Sequence, residues 1–125
     1  MRTQSVTFFT EREEEFANLF IELGTRRNIA MVLVYLANIE EATSRDIERG
    51  TDLRQPEVSM ATQYLIGKHW ITARDCPTMN KGRPLKIYTL TKPIREIVGI
   101  IEEEKRDEAE YKIQLTKKLR SYVPG

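Results

Sequence analysis

Lys81, Arg83 and Lys86 stand close together in the stretch KGRPLKIYTLT, with Gly82 and Pro84 among them. Glycine and proline set a turn, so the cations are expected at a loop tip. Behind the tip, Lys86–Thr91 reads Lys-Ile-Tyr-Thr-Leu-Thr, whose β-branched and aromatic content suits a strand. Ile87 and Leu90 are the residues expected to face inward. Basic side chains on a tip where glycine lets the backbone approach closely are the chemistry of anion binding. A second set lies upstream. Pro56, Ser59, Met60, Gln63 and Gly67 recur at helical spacing, opposite an apolar set of Val58, Ala61, Thr62 and Leu65. Gln55 and Gln63 each carry a donor and an acceptor side by side, which matches the N6/N7 edge of adenine. Serine reaches a base or a phosphate, and methionine touches a thymine methyl. Arg54 is a candidate for phosphate, with Arg45 and Lys68 behind it. Glu57 reads first as an acid that favours a helix N-terminus, and second as an acceptor for cytosine N4.

Other chemistries find little support. No glycine-rich phosphate loop and no nucleophile elbow is present. With one histidine, His69, no catalytic triad is arguable, so no enzyme activity is expected. His69 and the single cysteine, Cys76, are too few for a four-ligand zinc site, so neither a metal nor another cofactor is expected. One cysteine permits no intrachain disulfide and suggests a reducing, cytoplasmic compartment. Arg74 near Cys76 would favour a thiolate, the chemistry of a redox sensor, although most lone cysteines sense nothing, and the sequence leaves a redox role of Cys76 open. No apolar run approaches the roughly 20 residues of a membrane span, and no secretory leader is evident.

The 125 residues carry a formal net charge of +1, with 40% hydrophobic and 31% charged residues. That balance suits a globular chain rich in exposed helix. Residues 1–42 carry a net −3, residues 43–92 a net +4, and residues 93–125 are neutral. The basic segment holds both candidate sets, as nucleic-acid binding would require.

The elements that must position these residues follow from pattern. Thr10-Glu11-Arg12-Glu13 matches a capping box, Phe16, Leu19, Phe20 and Leu23 follow at helical spacing, and Gly24 stops the helix. A second helix, from about Thr25, is apolar around most of its girth and is expected at the centre of the core. Thr43 caps a short helix, Ser44–Arg49, which Gly50 ends. Pro56 opens the next, a strand runs from Ile71 to Arg74, a turn and the Lys86–Thr91 strand follow, and Pro93 starts a long last helix to about Leu119. The fold class is mainly α with a small β-hairpin, α+β. Two helices across a tight turn with a hairpin behind form a winged helix-turn-helix, with the helix-turn-helix at 43–68 and the wing at 71–91. The domains expected are a DNA-binding domain over 1–92 and a dimerisation helix over 93–125 that packs with the N-terminal helix.

The segment TSRDIERGTDLRQPEVSMATQYLIGKHWITARD, with KGRPLKIYTLT after it, resembles the helix-turn-helix and wing of ArsR/MarR-type winged-helix transcription regulators, in particular archaeal ones. The resemblance covers Thr43–Thr91. Two positions depart from it. Thr62 stands where leucine is commoner, and Gly67 precedes the usual place of the glycine before the strand. The paired-cysteine metal motif of metal-sensing relatives is absent. The resemblance implies double-stranded DNA as partner and a homodimer built by the terminal helices. Candidate dimer residues are Phe16 and Phe20 at one end of the chain, and Ile97, Ile101, Tyr111, Leu115 and Leu119 at the other. Along the last helix the apolar stripe is interrupted by the charged run Glu102–Glu108, which argues against a long parallel coiled coil. The rival reading is a winged helix used as a protein-interaction module, which would need no basic wing. Operator, direction of regulation and any effector ligand are not encoded in these patterns.

Overall fold

Thr10 and Glu13 cap the first helix, α1 (Glu11–Glu22), reciprocally. The Thr10 hydroxyl accepts from the Glu13 N–H at 3.2 Å, and the Glu13 carboxylate accepts from the Thr10 N–H at 2.8 Å. The helix ends as the glycine predicts. Gly24 sits at φ 107°, its N–H donates to Ile21, and the Thr25 N–H donates to Phe20. That double bond closes two orphan carbonyls. The computed structural model describes residues 9–77 and 84–125. The chain divides into two compact units, up to Lys92 and from Pro93 to Gly125.

In the first unit, α2 (Arg27–Asn38) begins two residues later than its pattern predicts. It buries every residue from Ile29 to Leu36, and α1, α3 (Ser44–Thr51) and α4 (Gln55–Gly67) all pack against it. Burying side chains such as Leu33, Ile47 and Leu65 contributes roughly 1.5–3 kcal/mol each. The side chain of Asn38 donates to the Glu13 carboxylate, which ties the end of α2 to the start of α1.

The hairpin β2 (Ile71–Cys76) and β3 (Leu85–Leu90) pairs antiparallel from Ile71↔Leu90 to Cys76↔Leu85. A third strand, β1 (Ala42–Thr43), joins β3 on its other edge, so β3 is central. This corrects two expectations. The sheet has three strands, and β2 runs two residues beyond Arg74. The inward residue of β3 is Tyr88, with Ile87 and Leu90 only half-buried. Tyr88 lies between Ala42 and Ala73 on the flanking strands, and those small side chains leave room for its ring.

A further correction concerns Gly50. It does not end α3 but lies inside it, buried, where a Cβ would fall 2.1 Å from the Tyr35 ring. It is a point of close helix–helix approach. The helix ends just beyond, at Asp52, which takes the left-handed conformation at φ 64°.

The second unit is one helix, α5 (Ile94–Ser121), about 42 Å long at 1.5 Å per residue. Ile97 and Ile101 are buried, and from Glu102 onward nearly every residue is exposed. No described helix is long and apolar enough to cross a membrane.

Candidate nucleic-acid interface

The site is built on the turn between α3 and α4. Thr43 and Asp46 cap α3 reciprocally, with both bonds at 3.1 Å. Buried Thr51 closes the turn. Its hydroxyl donates to the Ile47 carbonyl at 2.6 Å and accepts from the Leu53 N–H at 3.2 Å. Leu53 is itself buried. The Glu57 carboxylate then accepts from the Arg54 N–H at 2.9 Å, which fixes the entry to α4. Glu57 thus has the structural role its position suggested. Asn28 of α2 donates to the Glu57 carbonyl at 3.0 Å and pins the start of α4 against α2.

Val58, Ala61, Thr62 and Leu65 are buried, and this apolar face sets the rotation of α4 about its axis. Thr62 fits in place of the commoner leucine because its hydroxyl donates to the Ser59 carbonyl at 3.1 Å. Gln55, Pro56, Met60 and Gln63 are consequently exposed, Ser59 is half-buried, and Arg54 is exposed beside them. The helix ends at Lys68, after which His69 takes φ 64°. The His69 N–H donates to Ile66 and the Trp70 N–H to Leu65, the same double bond that closes α1. His69 therefore occupies the left-handed position that a glycine nearer the strand would fill, which accounts for the second departure from the resemblance.

Two grooves flank the exposed face. One brings Gln55 together with Arg45, Asp46, Glu48 and Arg49 of α3 and with Leu85 and Lys86 of β3. The other joins Met60, Gln63 and Tyr64 to Arg26, the N-cap of α2, and to Asn28. Arg49 and Arg26 were not singled out from sequence. Arg49 was findable, because it stands four residues from Arg45 with Ile47 turned inward between them. Arg26 was not, because its place beside α4 depends on how α2 and α4 pack.

Lys86 donates to Asp75 across the hairpin at 3.0 Å, and this bond, with the charge of Asp75, raises its pKa. It remains a cation at neutral pH, but part of its charge is offset. Arg74 pairs with Glu41. Lys68 lies 5.0 Å from the centre of the Trp70 ring, a cation–π contact. Lys81, Gly82 and Arg83 lie outside the described residues. Among the described residues no group of three or more His, Cys, Asp or Glu is placed to hold a metal.

No protein-family model matches the sequence, and no curated protein matches it. Solved structures do. A "possible transcriptional regulator" from Methanosarcina mazei Go1 superposes with a TM-score of 0.63 at 13% identity, over 97% of this chain and 100% of that one. A second transcriptional regulator gives 0.54 at 18% identity, over 87% of this chain and 71% of that one. Diamide-treated YodB from B. subtilis gives 0.51 at 15%, over 82% and 95%. These likenesses show the fold, an α+β winged-helix arrangement with a long C-terminal helix.

Proposed function

We propose that the chain is a double-stranded-DNA-binding transcription regulator that acts as a homodimer. Helix α4 enters the major groove, where Gln55, Ser59, Met60 and Gln63 meet base edges. The wing, with Lys81, Gly82, Arg83 and Lys86, holds the flanking backbone, and Arg54 holds phosphate at the start of α4. Two copies present two such helices to half-sites about one helical turn apart. The observation that carries the reading is the division of α4. Its apolar face is wholly buried, and its open face lies between two grooves that each carry arginine. The solved likenesses support the same reading, since two of them are described as transcriptional regulators, one as a possible one.

Dimerisation is assigned to the terminal helices and residues 93–125. Phe20, Ile97 and Ile101 are buried in the single chain, and Phe16 is half-buried. The surface open to a partner is thus carried mainly by Tyr111, Leu115 and Leu119.

The test is titration of a mixed-sequence duplex at low salt, followed by selection of preferred sequences. Affinity should fall linearly in log–log form as salt rises. Lys81→Ala with Arg83→Ala should lower that slope by about one unit for each phosphate the wing no longer neutralises. Failure to bind any duplex at low salt would favour the protein-interaction module instead.

A further inference from the structure

We infer that the base pairs read by α4 are A·T pairs, recognised by Met60 at the thymine methyl and by Gln63 at the adenine edge. The inference rests on the DNA-binding reading above and names the bases which that reading leaves open. Guanine is most often read by an arginine or lysine placed two-pronged on O6 and N7. Helix α4, QPEVSMATQYLIG, contains neither. The cations around it belong to other places. Arg54 stands at the N-cap, ahead of the first turn, and Arg26 stands at the N-cap of α2. Arg45 and Arg49 belong to α3 and share their groove with Asp46 and Glu48. Lys68, at the C-cap, lies over the ring of buried Trp70. Cytosine is read by an acid at N4. The one acid of α4, Glu57, accepts from the Arg54 N–H and is held there at the start of the helix.

Pro56, Met60, Gln63 and Gly67 recur along the middle of the open face, and all four are exposed. Of these, Gln63 alone has a hydrogen-bonding side chain, and its amide complements adenine N6 and N7. Met60 is 55% exposed and lines the same groove as Gln63. Among the unmodified bases, the major groove offers a thioether one apolar group, the C5 methyl of thymine. Three residues apart on a helix, the two side chains lie about 5–6 Å from each other at Cβ, close enough to reach neighbouring base pairs. Half-buried Ser59 suits any base and does not alter the preference. Gly67 has no side chain, so the face is bare at its far end and the reading falls to Met60 and Gln63.

Selection from a random duplex pool with the full chain, then competition titration on the selected site, tests this. The selected half-sites should carry A·T at the pairs that face α4. Exchanging the contacted thymine for deoxyuridine removes the methyl and keeps every hydrogen bond. It should weaken wild-type binding about fourfold, the worth of one buried methyl. Met60→Ala should bind the two duplexes alike. Gln63→Ala should lose about tenfold of the preference for adenine over guanine at its own pair. Both side chains are exposed, so neither variant should shift the melting curve. The deoxyuridine exchange also separates this reading from an A·T preference set by duplex shape, because the methyl lies in the major groove. The inference is overturned if the pairs that Met60→Ala or Gln63→Ala makes indifferent are G·C. It is equally overturned if no deoxyuridine exchange changes wild-type affinity, or if Met60→Ala feels the exchange as strongly as the wild type. Each of those results leaves a DNA-binding protein standing. A wild type that binds no duplex at low salt removes both.

Discussion

Helices α4 and α5 are both amphipathic, yet they dispose of their apolar residues in opposite ways. In α4 the apolar face is 0–3% exposed, and the open face is polar save for Met60, Tyr64 and Ile66. In α5, Tyr111, Leu115 and Leu119 are 64%, 43% and 69% exposed and face solvent among lysines. A helix whose apolar face is satisfied within its own chain offers what remains to a polar partner. A helix whose apolar stripe is left open is incomplete until something covers it. The first arrangement suits DNA and the second suits another protein surface.

The sharpest way to break this contrast is one leucine from each helix. Leu65→Ala should lower unfolding free energy by about 2–5 kcal/mol, read from denaturant midpoints, because it opens a cavity at a fully buried site. Leu115→Glu should leave the monomer's midpoint within about 0.5 kcal/mol of wild type. Its effect should appear in sedimentation as a shift toward monomer, because it places an unpaired charge in an apolar contact. If Leu115→Glu destabilised the isolated chain as Leu65→Ala does, the two helices would not differ in the way described.

Next in size is the open face of α4. Gln63→Ala should cost about 1–3 kcal/mol on the preferred duplex and much less on random DNA, measured by competition titration. Equal losses on both would remove base reading from Gln63. Arg49→Ala, in the groove beside Gln55, should act differently. It should weaken all duplexes by similar factors and lower the slope of log affinity against log salt by about one unit. An unchanged slope would exclude Arg49 from the backbone track.

The smallest effect expected is at the end of α4. His69→Gly should stabilise the chain by about 0.5 kcal/mol in thermal or chemical melts. A side chain at φ 64° is sterically unfavourable by roughly 1–2 kcal/mol, and the glycine entropy cost offsets part of the relief. A loss of stability would mean that the imidazole makes a compensating contact.

Much of this arrangement was readable from the residues. Thr10/Glu13 is a local device, visible in four consecutive letters, and Gly24 marks a helix end by the one conformation it alone adopts freely. The inner face of α4 followed from period alone. What escaped the reading has a common cause in tertiary packing. Gly50 resembles a stop, and only the position of the Tyr35 ring reveals it as a point of contact. Asp52 and His69 take left-handed conformations that side-chain type does not announce. Ile87 is the better strand residue by propensity, but the pairing of β3 with Ala42 and Ala73 turns Tyr88 inward. Strand β1 is two residues long, too short for any periodicity. The dual flanking of α4 by Arg49 and Arg26 depends on where two other helices run.

The unbroken burial of α2 from Ile29 to Leu36 bears on how the chain opens in solution. Amides of that run should exchange with deuterium only through global unfolding, since all eight side chains must leave the core together. Amides of α5 beyond Glu102 lack that protection in the single chain. Their exchange should slow only when a partner covers the helix, so the ratio of the two rates is a label-free measure of dimer occupancy at any protein concentration.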